Sequence, residues 1–316
     1  GALVHIYTDG SVQLNHGGTE MGQGLHSKMI AVAAASLGVR PERIQIMVTS
    51  TDKVPNTSAT AASSGSDLNG QAVKAACETL RNRLAQVAAD RLQVALERIA
   101  FADGQVLLRD GTATGLSFDE VVQSAYNQRI SLSATGYYRT PGLHWDAARG
   151  RGHPFYYYAF GAALSEVEVC GRTGVHRLLR VDLLHDVGAS LNESIDRGQI
   201  EGGFVQGLGW LTCEELRWSP EGRLLTDAPS TYKIPTVGEV PEHFHVRLFR
   251  RSEQPSTQVI GGSKAVGEPP LMLALSVREA LRAAVAAFAD TPPKRVDLGC
   301  PATPEAVWRA VVTVRR

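Results

Sequence analysis

The stretch that decides the fold runs Val4-His5-Ile6-Tyr7, turn pair Asp9-Gly10, Val12-Gln13-Leu14, then His16-Gly17-Gly18-Thr19-Glu20-Met21-Gly22-Gln23-Gly24 and the Ala-rich segment Leu25 to Leu37. Two short apolar runs around Asp-Gly predict a β-hairpin. The Gly-rich turn leads into a segment of helical composition, and Gly38 is its expected stop. A hairpin feeding a helix is a signature of mixed structure, and the same alternation recurs downstream.

Ile44 to Val48 alternates as a strand. The small-residue run Asn56 to Asp67 precedes a long helix expected from about Gly70 to Leu92, with Val73, Ala76, Cys77, Leu80, Leu84 and Val87 on one face. A hairpin is expected around Ala102-Asp103-Gly104. Ser117-Phe118-Asp119-Glu120 has capping-box spacing ahead of a short helix ending near Tyr126. Tyr156 to Val169 and Val175 to Asp186 read as strands flanking the turn Gly171-Arg172-Thr173-Gly174. A helix is expected beyond Asn192, carrying Gln199, Gly202, Gly203, Gln206 and Gly207. Ser219 to Gly222 reads as a hairpin turn and His243 to Phe249 as a strand. An apolar helix is expected from Leu271 to Phe288, and a short helix after Pro304. Strands interleave with helices while hairpins recur, so the fold class is α+β, with mixed sheets, hairpins and packed helices rather than a doubly wound parallel sheet. Residues 1–290 form the main region, with room for two α+β lobes, and 291–316 a tail with a short helix.

Composition narrows the function classes. The 316 residues are 43% hydrophobic and 20% charged, values of an ordinary soluble globular protein. Lys plus Arg and Asp plus Glu number 32 each, a balance that argues against a nucleic-acid protein. No apolar stretch of about 18 residues predicts a membrane-spanning helix. Cys77, Cys170, Cys213 and Cys300 are far apart and fit neither a zinc site nor a disulfide framework, which suits a reducing cytoplasm. The chain starts on a strand without an initiating Met, as expected of a piece of a longer polypeptide or one subunit of a divided protein.

Three segments carry chemical interest. Four glycines within 17–24 bring backbone close to a neighbour, and the helix that follows is expected to offer N–H groups to an anion. The segment matches neither the Walker A pattern nor G-x-G-x-x-G. Thr60-Ala61-Ala62-Ser63-Ser64 leaves room for a ligand and presents hydroxyls. Gly267-Glu268-Pro269-Pro270 sets a carboxylate in an apolar run stiffened by two prolines, where partial desolvation would raise its proton affinity. Each also has a plain structural reading: a tight connection, a Ser-rich cap, a carboxylate favouring a helix dipole. The histidines form no metal constellation, because His16 and His26 are too far apart for one helix turn and His243 and His245 merely share a strand face. Tyr156-Tyr157-Tyr158 and Trp210 read as core or interface aromatics without chemistry.

The combination is more specific than any part. Gly-Gly-Thr-Glu-Met-Gly-Gln-Gly at 17–24, Val54-Pro55-Asn56, Thr60-Ala61-Ala62-Ser63, Tyr138-Arg139-Thr140-Pro141, Gly198 to Gly202, Ser230 to Pro235 and Ser263 to Pro270 follow in order. This series resembles the C-terminal part of the molybdopterin-binding region of the xanthine dehydrogenase and xanthine oxidase family, from about residue 1 to about 290. The resemblance implies that Glu268 is the catalytic base, taking a proton from a molybdenum-bound hydroxyl while hydride passes to a molybdenum sulfido group. It implies that Gly22, Gln23 and Gly24 hold the pyranopterin, in its simple or dinucleotide form, with Gln199 on the pterin or its phosphate. Ala61 and Ala62 would line the pocket, Ala62 near the metal, and Thr60, Ser63, Ser64, Lys264 and Gly267 would add contacts. Molybdenum is held through the pterin, so no side-chain metal ligand is implied.

The family's earlier stretch, which supplies a glutamine near the metal and groups that sandwich and orient substrate, has no counterpart in these residues. The iron–sulfur cysteine patterns and flavin region are also absent. The resemblance therefore implies partner domains or subunits carrying 2Fe-2S and FAD, an oligomeric cytoplasmic parent enzyme oxidising hypoxanthine or xanthine to urate with NAD as acceptor, and an isolated chain that is inactive. Hydroxylation of another N-heterocycle or an aldehyde remains open, as does a non-catalytic module that carries cofactor or mediates assembly.

Overall fold

Alternation of apolar side chains sets the first sheet. In the computed structural model, Ala2, Val4 and Ile6 of β1 (Ala2–Ile6) point into the core while Leu3 and His5 face outward. The structure describes residues 1–54, 56–250, 259–291 and 293–316; Pro55 of the Val54-Pro55-Asn56 motif lies outside them. The described residues divide into two units, the first formed by 1–158, 189–192 and 259–265, the second by 159–188, 193–250 and 266–316. Mixed α+β architecture is present in both, and no helix among the described residues is long and apolar enough to cross a membrane.

In the first unit β1 pairs antiparallel with β2 (Val12–His16) through the expected Asp9-Gly10 turn, Ile6 opposite Val12. Helix α1 spans Leu25–Leu37 and stops at Gly38, whose φ of 72° places it in the left-handed region. The next strand, β3 (Ile44–Ile46), pairs parallel with β2 and ends two residues short of the expected Val48. Helix α2 (Gly65–Leu92) starts at Gly65 rather than near Gly70: Gly65 to Asn69, which read as the end of the small-residue loop, already form its first turn. Its expected face is the core face: Val73, Ala76, Cys77, Leu80, Leu84 and Val87 are buried.

A second sheet of β4 (Ile99–Ala102), β5 (Gln105–Leu108) and β6 (Ala113–Ser117) leads to α3 (Phe118–Asn127). Ser117 and Glu120 form the expected capping box at its start. Strand β7 (Ser133–Gly136) completes the first sheet beside β1. A small hairpin of β8 (His144–Asp146) and β9 (Arg151–His153) lies outside both sheets. Ile260 joins this unit's core and packs on Gly70 of α2.

The second unit is built on β10 (Gly161–Val169), β11 (His176–His185) and β12 (His243–Leu248), in that order. Strand β10 begins at Gly161, so Tyr156 to Phe160, expected as strand, is not. Strand β12 joins β11 in parallel, with Arg180 opposite His243, and His243 and His245 stack on one face as their spacing predicts. Between the two in sequence lies α4 (Glu193–Thr212). The apolar segment from Leu271 is not α-helical throughout: Pro269–Ala274 is a 3-10 turn, and α5 covers Leu275–Ala286. The two prolines fix φ and lack N–H groups, so the segment opens as a tight turn before the α-helix. The expected terminal helix is α6 (Pro304–Val314), capped by Thr303. Residues 291–316, expected as a tail, contribute Val296, Leu298, Ala302, Val307 and Val311 to the core of this unit, together with Val181, Leu183, Val246 and Leu281. Trp210, read as a core or interface aromatic, is 53% exposed.

Candidate functional site

The Gly-rich turn is closed by its own side chains. Glu20 accepts hydrogen bonds from the N–H groups of Gly22 (2.8 Å), Gly24 (3.0 Å) and His26 (2.9 Å). Burial alone would raise this carboxyl; the three amides outweigh it and hold Glu20 below its ordinary value. This corrects an expectation. The start of α1 offers no open N–H groups at these positions, because a carboxylate in the same turn already occupies them. Gln23 is engaged likewise, its Oε1 accepting from Met21 N–H (2.5 Å) and its Nε2 donating to the Thr19 carbonyl (2.9 Å). Gly24, φ 75°, is the hinge between turn and helix.

The turn is joined to the second candidate segment. Thr19 N–H donates to Thr60 Oγ1 at 2.9 Å, and Thr49 Oγ1 donates to the Gly18 carbonyl at 2.6 Å. Beyond Thr60, Ala61 and Ala62 are exposed, while Ser63 and Ser64 are half-buried. Ala62 and Ser63 have φ of 55° and 52°, a region that L side chains rarely occupy. Ser64 stands at the N-cap of α2, yet its hydroxyl donates back to the Ala61 carbonyl at 3.1 Å and no side chain caps the helix from that position. The start of the 28-residue α2 thus has no side-chain cap from Ser64, and carries the Asp67 carboxyl in its first turn. Beside it opens a cleft of about 390 Å³, lined by Asn56, Thr60, Ser64, Asn69, Tyr138 and Arg139 among others, which brings the Tyr-Arg-Thr motif next to the Thr-Ala-Ala-Ser motif.

Behind the turn, His16 is 2% exposed and its Nδ1 accepts from Gly18 N–H at 3.0 Å. Burial first, then the neighbouring His26, lower it to about 4, so it stays neutral. The His16 and His26 rings meet edge to face with centroids 5.2 Å apart; their separation in sequence hid this, because the intervening glycine turn brings the first residues of α1 beside the end of β2. No group of three or more His, Cys, Asp or Glu among the described residues could hold a metal ion.

Sequence reasoning missed a partly buried acid. Asp67, in the first turn of α2, accepts a hydrogen bond from the Tyr157 hydroxyl, whose oxygen in turn accepts from Ala265 N–H at 2.8 Å. Tyr157 thus has a polar role that the aromatic triplet did not suggest. An Asp at the start of a helix was legible only as a dipole partner. Burial raises Asp67 to about 6, against the opposing pull of Tyr157 and the charge of Lys28. Lys264 donates through Nζ to the Tyr158 carbonyl at 2.8 Å.

Gln199, Gly267 and Glu268 belong to the second unit. Gln199, Gly203 and Gly207 recur every four residues along one face of α4. A Cβ at Gly203 would lie 3.1 Å from the Gly267 carbonyl oxygen and 3.2 Å from Pro270 Cβ, so the missing side chain is what lets this segment rest on the helix. Gln199 stands one turn earlier on the same face. Glu268 is exposed, which corrects the expected desolvation: Val266 and Pro270 are buried on either side, but the carboxylate between them is not. It occupies the N-cap position of the 3-10 turn without making a side-chain capping bond. Its place in the fold is therefore not explained by capping.

Comparison with known proteins bears on this arrangement. The model of the molybdopterin cofactor-binding domain matches residues 1–241. The chain is 49% identical to xanthine dehydrogenase/oxidase of Mus musculus over 99% of its length and 22% of that protein's. It is 47% identical to aldehyde oxidase 2 of Cavia porcellus over 90% of its length and 20% of that protein's. The crystal structure of quinoline 2-oxidoreductase from Pseudomonas putida 86 superposes with a TM-score of 0.84 at 29% identity, covering 98% of this chain and 38% of that one. The chain spans about a fifth of the length of the curated relatives it matches. The chain belongs to the molybdopterin cofactor-binding domain family.

Proposed function

We propose that this chain is the part of a molybdenum hydroxylase that receives the pyranopterin on Gly22, Gln23, Gly24, Thr60, Ala61, Ala62, Ser63, Ser64, Gln199, Lys264 and Gly267, and supplies Glu268 as base in the hydroxylation of hypoxanthine or xanthine. The observation that carries the reading is Glu268 itself: a carboxylate at the head of a proline-stiffened turn, exposed in a segment whose Val266 and Pro270 are buried. The residues fit the cofactor in the first unit. The start of α2 lacks a side-chain cap from Ser64, a polar cleft with Arg139 adjoins it, and the small exposed Ala61 and Ala62 leave room for a flat ring system.

When bound, the molybdenum cofactor supplies the two-electron redox chemistry of hydroxylation. The chain's own contribution is positional and protolytic. One oxygen of the Glu268 carboxylate accepts the proton of the water-derived hydroxyl that becomes the product's oxygen, and the paired prolines stiffen the backbone that carries it. Gln23, already fixed at both ends of its amide, presents a preset rather than a floppy group to the pterin. The earlier half of the molybdenum domain, 2Fe-2S and FAD carriers, NAD as acceptor and a cytoplasmic, oligomeric parent belong to the same proposal, and the isolated chain is expected to be inactive on xanthine.

In the cofactor-loaded enzyme, Glu268→Gln is expected to lower turnover roughly 10²- to 10⁴-fold with molybdenum content unchanged. Unaltered turnover would return the chain to the role of a cofactor carrier. The likeness to aldehyde oxidase 2 favours a second reading, hydroxylation of another N-heterocycle or an aldehyde. Relative turnover of hypoxanthine, nicotinate and benzaldehyde by the complete enzyme decides between them.

A further inference from the structure

Within the first unit, the segments proposed to meet the cofactor are tied to one carboxyl group. Asp67 lies three residues beyond Ser64, in the first turn of α2. The Tyr157 hydroxyl donates to its Oδ2 and accepts from Ala265 N–H, and adjacent Lys264 is held by the Tyr158 carbonyl. From α1, one turn past Gly24, the buried Lys28 lends its positive charge to Asp67.

A carboxyl is a poor choice for this place on stability grounds alone. Asp67 Oδ1 is buried without a hydrogen-bond partner, and a neutral side chain of similar size would avoid that desolvation. The loop just ahead holds Ala62 and Ser63 in an unfavourable backbone region, which persists only where the surroundings determine it. We propose that Asp67 and Tyr157 are positioning residues that hold the Ala61–Ser64 loop and Lys264, with α1 behind the Gly22–Gly24 turn, in the arrangement that receives the cofactor. The inference rests on the reading of those segments as cofactor contacts. Outer groups that orient ligand-bearing residues commonly change affinity by an order of magnitude or more when removed.

The test uses the cofactor-loaded holoenzyme and measures pterin and molybdenum released on dialysis, between pH 5 and 8. The titratable groups that act with Asp67 in this unit are Tyr157, Tyr138 and Lys28. Burial raises both tyrosines, so neither loses its proton in that window, whereas Asp67 titrates within it. Native enzyme is expected to release cofactor faster as pH falls below about 6, where the carboxylate protonates. Asp67→Asn and Tyr157→Phe are expected to release it roughly tenfold faster, with the pH step lost in Asp67→Asn. Should Tyr157→Phe fail to fold, Asp67→Asn decides the question by the same readouts. Gln23→Ala is the control for the cofactor contacts. Native release rates in the foldable variants, beside faster release from Gln23→Ala, overturn the positioning role; native rates in Gln23→Ala as well overturn the contact reading beneath it.

Discussion

Gly207 of α4 and Leu271 of the following 3-10 turn approach so closely that a Cβ on the glycine would sit 2.4 Å from the leucine carbonyl oxygen. The same Cβ would lie 2.8 Å from Ala274 Cβ. In a helix interior Gly→Ala ordinarily adds about 1 kcal/mol of stability. Here the clash is with backbone, which cannot yield as a side chain tip can. Gly207→Ala is expected to destabilise by about 2–3 kcal/mol in denaturant unfolding, and Gly203→Ala, with its looser 3.1 Å contact, by less. A stabilised Gly207→Ala would mean that α4 and the 269–274 turn are not packed through this face.

Glu20 satisfies three amides at once, so its replacement leaves them all without that acceptor. Glu20→Ala is expected to cost about 1–3 kcal/mol, and Glu20→Gln less, because an amide oxygen still accepts. Since Glu20 is held below its ordinary value, its contribution is present at neutral pH and is lost as pH falls through the folded-state value. Unfolding measured from pH 7 down to pH 3 should show that loss in the native protein and not in Glu20→Ala.

Asp67 has the opposite sign. Its folded-state value of about 6 exceeds the ordinary 3.8, so the folded protein binds the proton more tightly than the unfolded chain. The associated stability is present below pH 3.8 and declines as pH rises to about 6, by something on the order of 1–2 kcal/mol after allowance for partial exposure. Asp67→Asn removes that slope and is expected to match or exceed native stability at pH 7–8, in thermal unfolding at both ends of the window. A markedly less stable Asp67→Asn at pH 8 contradicts it.

The thiols divide by burial. Cys77 is fully buried and burial lifts it to about 12, whereas Cys170 and Cys300 are exposed. Hydrogen bonds from Thr173 and from nearby backbone lower Cys170. A thiol reagent at neutral pH should therefore label Cys170 first, and should reach Cys77 only on unfolding, as peptide mapping would record.

Short-range chemistry made much of the fold legible. The Asp9-Gly10 turn, the Gly38 stop, the Ser117–Glu120 capping box and the apolar face of α2 each depend on residues a few positions apart, which is the range over which periodicity and capping act. The ordered Gly-Gln-Gly, Thr-Ala-Ala-Ser and Val-Gly-Glu-Pro-Pro segments carried the family. Boundaries were less legible where local signals conflict: hydroxyl residues ahead of α2 favour caps and loops, yet the helix begins among them.

The amino-acid order by itself determined the succession of strands, turns and helices, and the chemical family those segments belong to. Folding in three dimensions decided which groups are already satisfied: Glu20 on the start of α1, Tyr157 on Asp67 across 90 residues, β12 in parallel beside β11, and Glu268 left exposed between two buried neighbours. The physical reason is range. A turn or helix face is set by steric and hydrogen-bonding preferences within one or two turns of chain, whereas burial, charge and polar pairing depend on whichever distant segment the core brings alongside.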